Sequence, residues 1–292
     1  MDRKIAIVTG ANSGIGYETA RVLAQHSAIV IMACRNSEKA NAAAEKIRAL
    51  HLHGKIEVMQ LDLADLNSVH QFAGRFKVRF GQLDLLINNA GVMVPPYGTT
   101  KQGFESQFGA NHLGRFALRA QLIDLLNATP DARVISVSSI AHRFGQIDFD
   151  DLDWQQKEYS AMLAYGQSKL ANLLFTYELQ RQLTAAGHDT IAVAAHPGYT
   201  ATNLQGDTAG MNLMSRLFAQ AQPIGALPSL YAATDDNVRG GDYIGPSGLA
   251  EIGGNPEKVT SSARSHDMAV AQRLWTVSEK LTNVAFTLEK GI

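Results

Sequence analysis

Short apolar runs alternate with helix-like segments along the first two thirds of the chain. Six runs have the length and continuous apolar character of strands buried on both faces: residues 4–9, 28–34, 56–61, 83–88, 133–137 and 190–195. Segments with helical spacing or composition lie between them, at residues 15–26, 37–50, 65–80, 103–127 and 161–186. Ser37 is the predicted N-cap of the second helix. This alternation predicts an α/β fold with a doubly wound parallel sheet and helices on both faces.

Two segments interrupt the alternation. Residues 140–160 form a long predicted loop, and residues 199–222 form a longer one that carries several apolar side chains. Loops of this length in a compact domain are usually functional or disordered. Because the sequence contains no linker, low-complexity tract or internal repeat, we predict one domain over residues 1–292, with an apolar substrate-loop insertion at about 199–222.

Composition excludes several classes of function. The 292 residues are 46% apolar and 18% charged, with a formal net charge of −1 and no basic block, which argues against nucleic acid as the main partner. A single cysteine, Cys34, excludes an intramolecular disulfide framework and a Cys-cluster metal site, and we expect no structural metal. No apolar run reaches the roughly 18 residues of a membrane span. We therefore expect a cytoplasmic protein without a signal peptide or membrane anchor.

A glycine-rich turn, TGANSGIG at residues 9–16, joins the first predicted strand to the first helix. Gly10 would permit the sharp turn, Gly14 would let the backbone approach a pyrophosphate, and Gly16 would let the helix pack close to the sheet. The free N–H groups and positive dipole of a helix N-terminus suit phosphate. A plain glycine-rich turn is the alternative, but the position between strand and helix favours a dinucleotide site.

The end of the second predicted strand reads Cys34-Arg35-Asn36. An acidic residue at this point would bind the ribose 2′-hydroxyl of NAD, and none is present. Arg35 would instead pair with a 2′-phosphate, so the sequence predicts NADP(H). The alternative is an ordinary solvated arginine at a strand end.

Tyr165 and Lys169 stand one turn apart in the last long predicted helix and share a face. A neighbouring ammonium lowers the pKa of a phenol, which would suit Tyr165 to acid/base work. The pair alone is weak evidence, since a surface Tyr/Lys pair is common. Other polar groups are predicted at the same carboxyl edge of the sheet, where ligands bind: RVISVSS ending at Ser139, LINNAG at residues 86–91, Asn111 in ANHLG, and HPG at residues 196–198.

Together these motifs resemble the short-chain dehydrogenase/reductase superfamily along nearly the whole chain. TGANSGIG, NNAG, Asn111, the Ser-Ser pair, YGQSK and PG-x-x-x-T occur in the family's order. Four segments are similar to the NADP-dependent branch around retinol dehydrogenases and related bacterial reductases: ACRN, VSSIAHRFG, AYGQSKLANLLFTYEL and GALPSLYAAT. The resemblance implies a Rossmann-type fold and hydride transfer between NADP(H) and a carbonyl or alcohol.

The resemblance also implies roles for individual residues. Tyr165 would be the general acid/base, Lys169 would lower its pKa and hold the nicotinamide ribose, and Ser139 would position the substrate oxygen. Asn111 would hold a proton-relay water. Asp62 and Leu63 would contact adenine, while Thr200 and Thr202 would bind the carboxamide end. Besides Tyr165 and Lys169, the expected cofactor-binding residues are Gly10, Asn12, Ser13, Gly14, Ile15, Gly16, Arg35, Asn36, Asp62, Leu63, Asn88, Ala90, Gly91, Pro197, Gly198, Thr200 and Thr202.

The two long predicted loops, residues 140–160 and 199–222, bear on the substrate and on the oligomeric state. Met211, Met214 and Phe218 are expected to line an apolar pocket, with ordinary core packing as the alternative, so we predict an apolar aldehyde or ketone as substrate. The long gap between Ser139 and Tyr165 is expected to disturb the family's usual subunit contacts, and we expect a homodimer or a monomer rather than a tetramer.

Two other functions on the same fold stay open. One is a non-catalytic NADP-binding sensor or scaffold, and the other is a nucleotide-sugar epimerase or lyase. The combination of Ser139, Tyr165 and Lys169 argues against the first, because a binding module does not need it. The spacing of the three glycines suits the short reductases better than the second.

Overall fold

The computed structural model describes residues 4–198 and 221–288, and its centre is one eight-stranded sheet. The strand order is β3-β2-β1-β4-β5-β6-β7-β8. The strands are β1 (Ile5–Thr9), β2 (Ile29–Cys34), β3 (Lys55–Gln60), β4 (Leu85–Asn88), β5 (Arg133–Val137), β6 (Ile191–Ala195), β7 (Tyr243–Pro246) and β8 (Pro256–Lys258). All six predicted strands are present, with ends that agree within two residues.

The last strand departs from the predicted parallel arrangement. Strands β1 to β7 pair in parallel, whereas β8 pairs antiparallel with β7. A parallel partner needs a crossover connection of about a dozen residues or more, and the connection between Pro246 and Pro256 is shorter than that. The doubly wound, Rossmann-type α/β prediction is confirmed, with an antiparallel edge strand added to it.

Side chains of the central strands alternate between two apolar layers. Ile5 and Ile7 of β1 belong to one buried cluster, and Ala6 and Val8 belong to the other. This follows from the two-residue period of a strand, which sends successive side chains to opposite faces. All five residues of β1 are buried, as expected for a strand covered on both sides.

Helices cover both faces. The helices are α1 (Gly14–Gln25), α2 (Ser37–Arg48), α3 (Leu66–Arg79), the single turn α4 (Ser106–Phe108), α5 (Gly114–Asn127), α6 (Ala161–Ala186), α7 (Gln222–Thr234) and α8 (Met268–Thr282). Helices α1, α2 and α7 pack on the face of Ala6 and Val8. Helices α3, α5, α6 and α8 contribute to the cluster on the opposite face. The result is a three-layer α/β/α arrangement.

The N-cap of α2 is Asn36, so the prediction of Ser37 was wrong. Asn36 has an extended backbone, and its Oδ1 accepts a hydrogen bond from the Lys39 amide at 2.8 Å. An asparagine in this conformation satisfies one of the free N–H groups of the first turn as well as a serine does. Ser37 is therefore already the first residue of the helix.

The long helix expected within residues 103–127 is divided. Glu105 caps α4 by accepting from the amides of Gln107 and Phe108 at 2.8 and 2.7 Å. A π-helical turn, Gly109–Leu113, follows and leads directly into α5. Such turns are rare and occur frequently at functional sites. Asn111, a predicted site residue, lies inside this one.

The C-terminal helix α8 lies against α5 and α6. Trp275 stacks on Phe175 of α6, with ring centroids 5.2 Å apart, and meets Phe116 of α5 edge-on at 5.6 Å. The ring of His112 also lies 2.7 Å from the Ser278 hydroxyl. The sequence pattern placed no element after β6, so α7, β7, β8 and α8 are additions.

Among the described helices, none is long and apolar enough to cross a membrane.

Residues 140–160 form a connection that is tied down at several points. It opens with a 3₁₀ turn, Ile140–Phe144, whose N-cap is Ser139. Asp151 accepts from the amides of Gln155 and Gln156, and Asp153 accepts from the Glu105 amide at 2.8 Å. These bonds fix the segment that separates Ser139 from Tyr165.

Candidate active site

The cleft of the sheet opens where β1 and β4 are neighbours, because the chain leaves these two strands toward opposite sides. Gly10 directly follows β1 with a φ of +66°, and its amide donates to the Ala33 carbonyl at 2.8 Å. A Cβ atom at Gly10 would stand 2.9 Å from the Cα of Ala90. The position therefore requires glycine for its conformation and for the approach of the second turn.

Two turns are bonded together at this point. The Asn89 amide group donates to the Thr9 carbonyl at 2.9 Å, and the Ala90 N–H donates to the Thr9 hydroxyl at 2.9 Å. A Cβ atom at Gly16 would lie 2.5 Å from the Asn89 Nδ2 and 2.5 Å from the Gly10 carbonyl oxygen. The glycine turn and the NNAG turn thus form one rigid floor.

The N-terminus of α1 faces this floor. Ser13 stands at the N-cap with an extended backbone, and its side chain makes no capping hydrogen bond. Gly14 begins the helix with a φ of +61°, and Ile15 is buried in the core. The first N–H groups of the helix therefore lack a side-chain acceptor at the cap and are suited to phosphate oxygens.

Charged side chains lie at the far end of the cleft. Arg35 and Asn36 follow β2 and are exposed, as is Lys39 in the first turn of α2. Asp62 uses its Oδ1 to accept from the Ala64 amide at 3.0 Å. The sequence analysis missed Lys39; its place three residues after a helix-capping asparagine, beside Arg35, could have indicated it. The cleft is lined by Thr9, Gly10, Asn12, Ala33, Arg35, Asn36, Lys39, Leu61, Asp62, Leu63, Ala64, Ala90, Gly91, Val92 and Ala110.

These features fit a phosphorylated dinucleotide. The glycine positions leave a floor that a Cβ atom would fill, the α1 terminus offers N–H groups, and two exposed cations, Arg35 and Lys39, line the cleft after β2. Ala90 and Gly91, both predicted, line the cleft. Asn88 is fully buried instead, and its amide lies 3.4 Å from the Ile135 carbonyl oxygen. Its side chain therefore ties β4 to β5.

Pro197 and Gly198 follow β6 and are half-buried. The Gly198 amide lies 3.3 Å from Nδ1 of His196, so the turn is fixed by the histidine before it. The remaining predicted residues lie outside the described part of the chain. These are Thr200, Thr202, Met211, Met214 and Phe218.

Ser139 and Tyr165 meet at the carboxyl edge of the sheet. The Tyr165 hydroxyl and the Ser139 side chain are hydrogen-bonded. Ser139 Oγ also accepts from the Ala141 amide at 3.2 Å, which fixes its orientation. Ser138 points the other way, is buried, and donates to the Lys169 carbonyl at 2.9 Å. Of the two serines, only Ser139 reaches the tyrosine through a described contact.

Lys169 lies one turn after Tyr165 on α6, as predicted. Its Nζ is buried, lies 5.3 Å from the centroid of the Tyr165 ring, and donates to the Val137 carbonyl at 3.2 Å. Burial, and then the charge of Arg115, lower the pKa of Lys169 well below its usual value. The Nζ atom is therefore held beneath the tyrosine by the end of β5.

The pKa of Tyr165 moves in the direction opposite to the one expected. Burial raises it to about 12, while the hydrogen bond from Ser139 and the charge of Arg115 pull it down. Desolvation opposes the phenolate more strongly than these two groups favour it. Tyr165 is consequently a protonated phenol at neutral pH, which is the form that gives a proton away.

Asn111 is completely buried, and its side chain is fully engaged. Its Oδ1 accepts from the Val92 amide at 2.8 Å, and its Nδ2 donates to the Val92 carbonyl at 2.9 Å and to the Ser168 hydroxyl at 3.0 Å. Ser168 lies between Tyr165 and Lys169 on α6. Asn111 therefore connects the turn after β4 to the helix that carries Tyr165 and Lys169.

A buried histidine supports Ser139 from behind. The Nδ1 of His142 lies 2.7 Å from the Ser139 carbonyl oxygen, and its Nε2 accepts from the Ser262 amide at 3.0 Å. This pattern requires the neutral Nδ1–H tautomer. Burial lowers the pKa of His142 to about 4, which keeps the ring neutral. The sequence analysis missed this residue, and its place in VSSIAHRFG was the available signal.

Comparison with known proteins agrees with this geometry. Residues 4–212 match the family model described as short chain dehydrogenase. The chain therefore belongs to the short-chain dehydrogenase family. Human retinol dehydrogenase 13 is 41% identical over 292 residues, covering 96% of this chain and 85% of the relative. Mouse retinol dehydrogenase 12 is 41% identical over 286 residues, covering 96% and 87%.

Solved structures give the same result. A crystal structure of an uncharacterized protein from Mycobacterium Paratuberculosis is 46% identical, with a TM-score of 0.84 and coverage of 98% of this chain and 96% of that one. A Pseudomonas aeruginosa RhlG/NADP active-site complex, 23% identical with a TM-score of 0.66 over 83% of this chain and 94% of that one, shares the fold. Within the family, this chain is a member of the retinol dehydrogenase-like branch and a hydride-transfer oxidoreductase.

Proposed function

We propose that this protein is an NADP(H)-dependent carbonyl reductase, also able to run as an alcohol dehydrogenase, with an apolar aldehyde or ketone as substrate. The observation that carries the proposal is the meeting of Ser139, Tyr165 and Lys169 at one edge of a cleft whose other end presents Arg35 and Lys39. A sensor or scaffold with the same fold has no use for the first three. The combination therefore favours catalysis.

The choice of NADP(H) rests on the charges at the end of β2. Arg35 and Lys39 line the cleft and are exposed, so both are accessible to a phosphate that enters from water. The carboxylate that lines this end, Asp62, is already bonded to a backbone amide. The site therefore favours a 2′-phosphate over a free ribose hydroxyl.

A nicotinamide cofactor held by the glycine turn and by Arg35 would supply the hydride for the reduction. The phenol of Tyr165 gives its proton to the carbonyl oxygen, and the Ser139 hydroxyl orients that oxygen. At neutral pH the phenol of Tyr165 is protonated, so it has the proton that this step needs. Lys169 lies beneath the ring, where its ammonium stabilises the phenolate that remains.

Exposed apolar side chains beside Tyr165 support an apolar substrate. Met162 stands one turn before Tyr165 on α6 and is 45% exposed. Phe144, 44% exposed, would meet a Cβ atom placed on Gly166 at 2.8 Å, so its ring lies at the same helix end. Large apolar groups at a site entrance favour apolar ligands. The relatives are named for retinol, which is an apolar alcohol. Met211, Met214 and Phe218, which lie outside the described residues, are also proposed to line the substrate pocket.

For the assembly, the packing of α8 favours the monomer over the homodimer. Helix α8 occupies the aromatic side of α5 and α6 through Trp275. A second copy approaching this side would first have to displace α8, which would expose Trp275, Phe116 and Phe175.

The test is single-turnover hydride transfer from NADPH to a panel of apolar aldehydes and ketones, with wild type and Tyr165→Phe compared. We expect the variant to lose about 10²- to 10⁴-fold in rate while binding NADPH normally, because the ring is kept and only the transferable proton is removed. Tyr177→Phe is the matched control, since it removes another buried hydroxyl from the same helix. Equal rates for Tyr165→Phe and wild type would refute the assignment.

A further inference from the structure

Arg115 is a completely buried guanidinium at the start of α5, and the sequence motifs did not identify it. Its Nε donates to the Ala90 carbonyl at 3.0 Å, and its Nη1 donates to the Val137 carbonyl at 3.0 Å. Its Nη2 donates to the Asn89 carbonyl at 3.2 Å. One side chain thus joins the turn that follows β4 to the last residue of β5.

Among the ion pairs within residues 4–198 and 221–288, none includes Arg115 or Lys169. A buried charge is costly unless it is paired or fully hydrogen-bonded. Carbonyl dipoles supply partial compensation here, and an uncharged side chain would avoid the cost altogether. A contribution to the stability of the fold therefore does not explain why a cation is buried here. Its position next to the candidate site explains it better.

Arg115 and Lys169 converge on one atom. The Nη1 of Arg115 and the Nζ of Lys169 both donate to the Val137 carbonyl, at 3.0 and 3.2 Å. The Lys169 Nζ in turn lies 5.3 Å from the centroid of the Tyr165 ring. The guanidinium also reaches the cleft floor, since a Cβ atom on Gly91 would lie 3.2 Å from its Nη2.

We propose that Arg115 is a positioning residue that fixes the NNAG turn against β5 and, together with Lys169, supplies the positive charge beneath Tyr165. The inference rests on the proposed acid/base role of Tyr165. In the structure the Arg115 charge lowers the pKa of Tyr165 and also that of Lys169, while Tyr165 acts back on Arg115. Removing the charge at Arg115 therefore makes the phenolate harder to form.

The groups around Tyr165 come from several elements. Lys169 faces it from its own helix, Ser139 from the end of β5, Arg115 from α5, and Tyr243 from β7. The charge of Arg115 also lowers the pKa values of His112 and Arg119, which lie on the same stretch of chain. Of the four groups around Tyr165, Lys169 and Arg115 are the basic side chains, and the charge of Arg115 acts on the pKa of Tyr165.

The experiment measures alcohol oxidation with NADP⁺ as a function of pH, because Tyr165 must then accept a proton and the rate rises with pH up to its pKa. For Arg115→Gln we expect this rising limb to shift by about 1 pH unit to higher pH. Arg115→Lys keeps the charge and should keep the limb near its wild-type place. It should nevertheless raise KM for NADP⁺, because an ammonium does not bridge the three carbonyls. A limb in Arg115→Lys shifted as far as in Arg115→Gln would overturn the role of the charge.

Arg119→Gln is the matched control. Arg119 is equally buried one turn further along α5, donates to the Ser136 hydroxyl at 3.1 Å, and lies over the Phe175 ring at 4.4 Å. We expect the rising limb of the pH–rate profile of Arg119→Gln to coincide with that of wild type, even if the variant melts at a lower temperature. A lower melting temperature for Arg115→Gln together with an unmoved limb would mean that Arg115 is structural only.

A separate measurement distinguishes failure of this inference from failure of the proposed function. If wild-type protein turns over no carbonyl or alcohol in the panel, the proposed function fails, and hydrogen exchange of the NNAG turn still tests the positioning role. Arg115→Gln should then speed amide exchange of Ala90 and Val92, and Arg119→Gln should not. Equal exchange in both variants would overturn the positioning role.

Discussion

The two ends of the cleft use cations in opposite ways. At the outer end, Arg35 and Lys39 are exposed and stand ready to pair with an anion that arrives from water. At the inner end, Arg115 and Lys169 are buried among carbonyl oxygens. Exposed charges are screened by salt and interact mainly with ions from solution. Buried charges, in contrast, shift the pKa values of their neighbours. The first arrangement suits recognition, and the second suits a chemical step.

The inner end should be far more sensitive to the loss of one hydroxyl. Ser139→Ala should lower kcat by about 10²- to 10³-fold, because it removes the group that orients the reacting oxygen. Ser138→Ala is the control, since the Ser138 hydroxyl donates to a helix carbonyl instead. The measurement is steady-state reduction of the best substrate in the panel, and similar losses in both variants would contradict the assignment of Ser139.

The inner end should also make stability depend on pH. His142 has a folded-state pKa of about 4, below the ordinary value of about 6.5, so the unfolded chain binds a proton in this interval and the folded chain does not. Its contribution is therefore complete above about pH 6.5 and is lost as the pH falls toward 4. At pH 5 the loss is on the order of 2 kcal/mol.

Urea denaturation at pH 7 and pH 5 measures this dependence. His142→Gln should lose about 2 kcal/mol less than wild type between the two values. His53→Gln, at an exposed histidine outside the cleft, should follow wild type. An identical pH dependence for wild type and His142→Gln would show that His142 is not the neutral buried support of Ser139.

The outer end should control affinity and leave the chemical step alone. Arg35→Ala should weaken NADPH binding by roughly ten- to a hundredfold, the usual value of a charge-assisted pair. The NADH dissociation constant is the matched control and should stay the same, because NADH has no 2′-phosphate. Lys39→Ala should act in the same direction. Titrations at low and high salt should show a smaller salt dependence in both variants, and equal weakening of NADH would refute the 2′-phosphate contact.

The smallest effect concerns the helix cap beside the outer end. Asn36→Ala should lower the free energy of unfolding by about 1 kcal/mol, because the Lys39 amide loses its acceptor. Ser37→Ala should change it by a few tenths at most, since Ser37 lies inside the helix. Equal losses in the two variants by urea denaturation would mean that the cap is shared.

The outer end was the more predictable of the two from sequence. The apolar runs of β1 and β2 are continuous, and the turn after β1 needs glycine for its geometry, so local chemistry determines these elements. Lys39 was missed because α2 was predicted to be capped by Ser37. The actual cap is Asn36, one residue earlier, and it accepts from the Lys39 amide. The later elements were missed for a different reason. Helix α7 contains Pro228, and β7 ends in Gly245 and Pro246, residues that argue against a helix and a strand.

The inner end depends on burial, which a local pattern does not reveal. Arg115 and Arg119 lie in a helix that is buried on nearly every side, and their charge alone favours the surface. The motif predicted that Tyr165 and Lys169 meet. It gave the wrong direction for the pKa of Tyr165, because desolvation depends on the whole surrounding structure.

The packing of α8 has a consequence for biosynthesis. The nascent chain emerges from the ribosome in order, so β1 to β6 and the helices α5 and α6 are available for folding before residues 268–282 appear. Until then, Phe116 and Phe175 lack the cover that Trp275 provides. An aromatic surface left open during synthesis is prone to aggregation and to capture by chaperones. Cover for the aromatic side of α5 and α6 is therefore complete only once residues 268–282 have been made.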